Sequence, residues 1–142
     1  MCCIGFIQQD IEVEVERHLS IGNNAGQTGQ GTGAIAIGLN AGQSSQFSNS
    51  IAIGVSAGQS SQAAYAIAMG YRAAQISQIS GAIAIGYQAG LTGQGNYSVA
   101  IGNQAGLTNQ HSNSIILNAS SLGLNSTTQN SFYVNPIRND DT

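Results

Sequence analysis

The sequence predicts an all-β fold, a parallel β-solenoid or β-roll whose coils are 16 residues long. Three observations carry that expectation. Gly22, Gly38, Gly54, Gly70, Gly86 and Gly102 each fall 16 residues after the last, and Asn118 occupies the seventh slot. The same string precedes most of them: A-I-A-I-G at 34–38, S-I-A-I-G at 50–54, A-I-A-M-G at 66–70, A-I-A-I-G at 82–86 and S-V-A-I-G at 98–102. No insertion or deletion shifts the phase. A unit this short cannot bury a core alone, so it must stack on its neighbours.

Three segments divide the chain: residues 1–18 with an acidic strand, 19–118 with the repeats, and 119–142 after them. At the start, Ile11, Val13 and Val15 alternate with Glu12, Glu14 and Glu16. That pattern predicts a capping strand whose carboxylates oppose edge-to-edge stacking. Cys2 and Cys3 are the only cysteines. Being adjacent, they cannot staple the chain to itself, which leaves an unstructured terminal pair or disulfides between chains.

Residues 50–65 represent one coil. Ser50, Ile51, Ala52 and Ile53 alternate with period 2, so the two isoleucines share one face and Ser50 and Ala52 the other. Gly54 closes the strand, and Ala57-Gly58 supplies a second point where the chain can turn. Gln59 to Gln62 then reads as a more polar second strand, with the next corner near Ala63 to Tyr65. Stacked at ~4.8 Å per coil, six coils make a rod of roughly 30 Å.

Hydrophobicity assigns the inward columns to Ile35, Ile51, Ile67, Ile83, Val99 and Ile115 beside Ile37, Ile53, Met69, Ile85, Ile101 and Leu117. The other strand face then points out: Ala36, Ala52, Ala68, Ala84 and Ala100, beside Ala34, Ser50, Ala66, Ala82, Ser98 and Ser114. A flat Ala/Ser face suits close approach of another backbone better than it suits water. It is therefore expected to be the subunit interface of a parallel homotrimer. Gln30, Gln46, Gln62, Gln78, Gln94 and Gln110 form the most uniform polar column, which invites an amide ladder along the axis, with a solvated glutamine surface as the plainer alternative.

Charge is sparse: three Lys plus Arg, all of them Arg, against six Asp plus Glu in 142 residues. Between His18 and Ile137 the only formal charge is Arg72, in the coil where Ala74 replaces the usual glycine. There is no basic patch to neutralise phosphates, which argues against nucleic-acid binding. No basic segment leads into an apolar run of secretory length, and no stretch is long enough to span a bilayer, so neither a signal peptide nor membrane insertion is expected.

The coils contain no Asp or Glu, which excludes calcium sites of the Gly/Asp-rich β-roll kind. Each I-G-x-x-A-G is a turn of the repeat, not a phosphate cradle. His18 and His111 are isolated, and the acids nearest His111 in sequence are Asp140 and Asp141. No catalytic residue, metal ligand or cofactor is assigned, and no enzyme is expected. Asn96, Asn118 and Asn125 match glycosylation acceptors by chance composition. Tyr65, Tyr71, Tyr87 and Tyr97 lie near strand ends, where they cover corners or could stack on sugars.

The S-V-A-I-G and A-I-A-I-G strings, with a small residue three after the glycine, resemble the head repeats of YadA-type trimeric autotransporter adhesins over residues 19 to about 118. That resemblance implies a left-handed β-roll with three chains about one axis; spacing alone leaves the hand open. The period departs from it, since the bacterial head repeat is 14 residues long. The longer A-I-A-I-G-x-x-A-G-x-x-x-Q form, and N-S-F-Y-V-N-P-I-R-N at 130–139, look more like fibre proteins of large DNA viruses and phages, where such a segment precedes a self-cleaving chaperone.

The function expected is therefore a non-enzymatic structural fibre module at a virion surface or outside the cell. Its partners would be further copies of itself, and a host-surface receptor or glycan. The alternative is a subunit of an end-to-end filament. An ice-binding solenoid fits less well, because the nearest column reads Thr28, Ser44, Ser60, Ile76, Thr92, Thr108 and not a regular threonine array.

Overall fold

A computed structural model describes residues 17–137; the acidic strand expected at 10–16 and the cysteine pair Cys2 and Cys3 lie outside the described residues. Twelve short strands follow one another: β1 (Leu19–Ile21), β2 (Ile35–Ile37), β3 (Ser44–Gln46), β4 (Ile51–Ile53), β5 (Ser60–Gln62), β6 (Ile67–Met69), β7 (Ile76–Gln78), β8 (Ile83–Ile85), β9 (Thr92–Gln94), β10 (Val99–Gly102), β11 (Ile115–Asn118) and β12 (Phe132–Asn135). They form two parallel sheets. The larger runs β1-β2-β4-β6-β8-β10-β11-β12 and the smaller β3-β5-β7-β9. The chain is thus a parallel β-solenoid of about seven turns.

Registers follow the sequence period. Ile35 pairs with Ile51, Ile51 with Ile67, and Ile67 with Ile83. The last step is one residue longer, Ile115 to Phe132, so the sheet continues into the C-terminal segment and the solenoid does not stop at 118. Eight strands at ~4.8 Å make a rod about 35 Å long.

Corners are laddered as well as strands. Ser56 N–H donates to Leu39 O at 2.8 Å, and Arg72 N–H to Val55 O at 2.9 Å. Hydrogen bonds therefore run around the circumference, which suits a fold with little apolar bulk inside. The glycine file has a steric cause. Gly38 lies at φ 127°, and a Cβ there would come within 2.7 Å of the Gly54 carbonyl oxygen one coil on. A side chain in this file would separate the coils.

The core reverses the face assignment made from hydrophobicity. Ala36, Ala52, Ala68, Ala84 and Ala100 are wholly buried within a single chain, facing Ala41, Ala57, Ala73, Ala89 and Ala105. The isoleucines at the flanking positions point outward and are half-buried or exposed. Space decides this. A Cβ built at Gly58 would meet Gln62 Oε1 at 2.6 Å and Ala52 Cβ at 3.2 Å, so a repeat coil holds two alanine methyls and one amide, and a branched chain, Ile116, takes the alanine position only at the C-terminal end.

The second strand delivers that amide by a local device. Ser45 and Ser61 sit at φ 57° and 58° between paired neighbours. The left-handed residue interrupts the alternation, so Ser44 and Ser45 both face out while Gln46 faces in. Gln46, Gln62, Gln78 and Gln94 are consequently among the largest fully buried side chains.

Candidate subunit interface

The larger sheet presents its apolar side to the outside. Along each strand the middle residue enters the core, so the flanking residues form two outward files, Ile35-Ile51-Ile67-Ile83-Val99-Ile115 and Ile37-Ile53-Met69-Ile85-Ile101-Leu117. β12 extends them with Phe132 beneath Ile115 and Val134 beneath Leu117. A third outward file runs alongside: Leu39, Val55, Tyr71 and Tyr87, all exposed. Tyr71 and Tyr87 stack with ring centroids 5.6 Å apart and planes 8° apart, and the Arg72 guanidinium lies 5.4 Å from the Tyr71 ring centre. At the C-terminal end, Ile101, Leu117, Val134 and Pro136 line a shallow apolar groove continuous with these files. Arg17 and Arg72 are the only formal charges in residues 17–137. The face is therefore broad, flat and almost uncharged.

The expected interface does not lie where the sequence suggested. Ala36, Ala52, Ala68, Ala84 and Ala100 have no exposed surface in the single chain, so no second chain can touch them. Their smallness fits the narrow interior, not an approaching backbone.

The glutamine column is internal too. Gln30, Gln46, Gln62, Gln78, Gln94 and Gln110 are all buried. Side-chain amides join Gln30 to Gln46 at 3.2 Å, Gln62 to Gln78 at 3.1 Å and Gln78 to Gln94 at 3.0 Å. Each Nε2 also donates to a main-chain carbonyl of its own coil, as Gln62 does to Ile51 O at 2.8 Å, and its second hydrogen is shared between Gln78 Oε1 and the more distant Ala66 O at 3.3 Å. Gln62 Oε1 and Gln110 Oε1 have no partner, so the file comprises linked segments and is not one continuous chain of amides.

Sequence reasoning missed a second file, on the surface. Gln43 Nε2 donates to Gln27 Oε1, Gln59 to Gln43 and Gln75 to Gln59, at 3.0, 3.0 and 2.8 Å. The 16-residue spacing that exposed the inner file also contains this one, which ends where Leu91 and Leu107 replace glutamine. In the glycine file, Asn118 takes the seventh place by turning its amide to Asn103 O and Leu122 O, at 2.7 and 2.6 Å.

The smaller sheet faces water with Thr28, Ser44, Ser60, Ile76, Thr92 and Thr108 in one file, interrupted by exposed Ile76. Among the described residues no three His, Cys, Asp or Glu side chains converge as metal ligands would. No helix there is long and apolar enough to cross a membrane.

No family model, curated protein or solved structure matches this chain. Its own geometry must carry the functional reading. The geometry offers one surface of unusual character, the apolar face of the larger sheet, and one unusual side chain, Tyr133. The Tyr133 ring packs against the end of the alanine core. Its hydroxyl sits 3.0 and 3.1 Å from the main-chain nitrogens of Thr127 and Thr128, and 3.0 and 3.2 Å from their hydroxyls. The Ser131 hydroxyl, those of Thr127 and Thr128 and the Thr127 N–H favour the phenolate and bring the Tyr133 pKa down from 10.0 to about 7.

Proposed function

We propose that this chain is a structural fibre module that assembles as a parallel homotrimer through the outward Ile/Val face of the larger sheet. The observation that carries this reading is the pair of large aliphatic files on an otherwise uncharged sheet surface. Soluble monomers rarely expose contiguous apolar patches beyond a few hundred Å², and this face runs the full length of the rod. A partner that buries it must offer apolar groups repeating at the rise of one coil. A parallel copy of the same chain does so at every level. The resemblance of A-I-A-I-G and S-V-A-I-G to trimeric adhesin heads supports three chains, a left-handed coil and a setting outside the cell, and the likeness of the longer repeat form and of residues 130–139 to viral and phage fibre proteins supports a virion surface. Attachment to a receptor or glycan would use the surface left outside the trimer.

Mass in solution, by light scattering with negative-stain imaging, tests the proposal on the full chain and on Ile67→Glu. The expected result is a threefold particle of fixed length that Ile67→Glu converts to folded monomer with its β-sheet circular dichroism retained. A wild-type monomer would overturn it. Threads of indefinite length would point instead to an end-to-end polymer, and a dimer would assign the face to a twofold contact.

A further inference from the structure

Two exposed apolar strips flank the Ile/Val face, and they differ from each other. On the side following the strand lies the file Leu39, Val55, Tyr71, Tyr87, which ends in Asn23 before it and Asn103 after it. On the side preceding the strand lie Phe47, Tyr65, Ile79 and Tyr97, drawn alternately from two files two residues apart, one coil after another. Tyr65 and Tyr97 are the most exposed of these, at 66% and 68%. The Tyr97 ring lies over Gly81, where a Cβ would come within 2.8 Å of it. A bulky group at one file thus fills space that a glycine leaves open in the coil before. Both strips are apolar over the central coils and polar or small at the ends.

We infer that these two strips are the seams between subunits: the Leu39-Val55-Tyr71-Tyr87 strip of one chain packs on the Phe47-Tyr65-Ile79-Tyr97 strip of the next. The inference rests on the trimer proposed above and adds which edge meets which. Its logic is geometric. Three parallel chains that turn the same sheet toward one axis are related by rotation alone, so each must present opposite edges to its two neighbours. An antiparallel twofold pairing would instead bring like edges together. The area is sufficient. The five aromatic side chains offer about 150–250 Å² each, roughly half of it exposed, and with Leu39, Val55 and Ile79 they supply several hundred Å² per seam on top of the Ile/Val face between the same chains. The seam is also nearly free of charge, with Arg72 already drawn over the Tyr71 ring. No partner with a different repeat could match both strips at every coil.

Cysteine cross-linking in a Cys2→Ser, Cys3→Ser background tests this, using Val55→Cys on one strip and Ala63→Cys, beside Tyr65, on the other. A short bis-maleimide should convert the double variant to covalent dimers and trimers on denaturing gels. Either single variant should cross-link at least ten times more slowly. Solution mass is measured on the same samples before cross-linking. A trimer in which the singles cross-link as fast as the double, or the double does not cross-link, overturns the seam assignment and leaves the trimer standing. A monomer by mass overturns both.

Discussion

Gln78 Nε2 donates to the carbonyl oxygen of Ile67 across the coil at 2.8 Å, and its second hydrogen is shared between Ala82 O and Gln94 Oε1, both at 3.0 Å. Carbonyls only accept, so these contacts fix which end of the amide is nitrogen and leave Oε1 for the neighbouring coil. One buried side chain thereby ties the strand of its own coil to the corner that starts the next. The alanine interior offers too little apolar bulk to do this by itself, so the buried glutamines are structural staples.

Gln78→Leu should therefore destabilise the solenoid although it adds a hydrophobic residue to the core. It leaves the Ile67 and Ala82 carbonyls without this donor, and the branched chain fits poorly beside Ala68. The expected loss is about 2–4 kcal/mol by urea denaturation. Gln78→Glu should be worse near neutral pH and partly recover in acid, as the buried carboxyl takes up a proton. Equal stability of the leucine variant and the parent would refute the staple.

Ala68 and Ile67 are neighbours with opposite fates. Ala68→Ile places a large side chain where the coil has room for a methyl, and about 3 kcal/mol or more should be lost as the two sheets are forced apart. Ile67→Ala trims an outward chain and should leave the melting temperature of the isolated, dilute chain within a few degrees. Thermal melts of both at low concentration check the pair. The hydrophobic scale alone predicts the reverse order.

That reversal shows what the sequence made legible. The 16-residue period determines the architecture because stacking repeats the same residue at every level, and Gly38, Gly54 and the Ala57-Gly58 turn fall where the pattern placed them. Alternation in Ser50-Ile51-Ala52-Ile53 establishes that the two faces differ, but not which one is inside. That depends on the sheet-to-sheet distance, a tertiary quantity. The clue lay in the second strand: a coil that must bury Gln62 has no room for two isoleucines. The left-handed Ser61 that turns Gln62 inward is marked only by its file-mates: Gly29, Gly93 and Asn109 favour that conformation, whereas the serines at 45, 61 and 77 adopt it without a side-chain reason of their own. The apolar flanks stayed unread for a related reason. Phe47, Tyr65, Ile79 and Tyr97 alternate between two files, so no single column shows them.

Ala74 is the one non-glycine residue in a file otherwise occupied by Gly26, Gly42, Gly58, Gly90 and Gly106, and it adopts φ 45°. A methyl group in that region is strained by roughly 1–3 kcal/mol, partly offset by the lower chain entropy of alanine when unfolded. Ala74→Gly should stabilise the rod by about 1 kcal/mol. Chemical denaturation measures it; a loss of stability would mean that the methyl contributes more to the core than its backbone strain costs.

Tyr133 should make the C-terminal end of the rod sensitive to pH. Its folded pKa of about 7 lies below the ordinary 10.0, so the folded chain binds fewer protons than the unfolded chain between those values. Stability from this group is therefore complete above pH 10, falls as pH is lowered towards 7 and is gone well below that. The melting temperature of the parent relative to Tyr133→Phe should accordingly rise from pH 7 to pH 10. Among the described residues, His111 is hydrogen-bonded next to this loop, with its Nδ1 3.0 Å from Ser126 Oγ, so His111→Gln serves as the control variant. A spectroscopic signature accompanies it: the parent should show phenolate absorbance near pH 7 that Tyr133→Phe lacks. If the parent and Tyr133→Phe show the same absorbance near pH 7, the cluster of Thr127, Thr128 and Ser131 does not hold the phenolate, and the end of the solenoid gains nothing from alkaline pH.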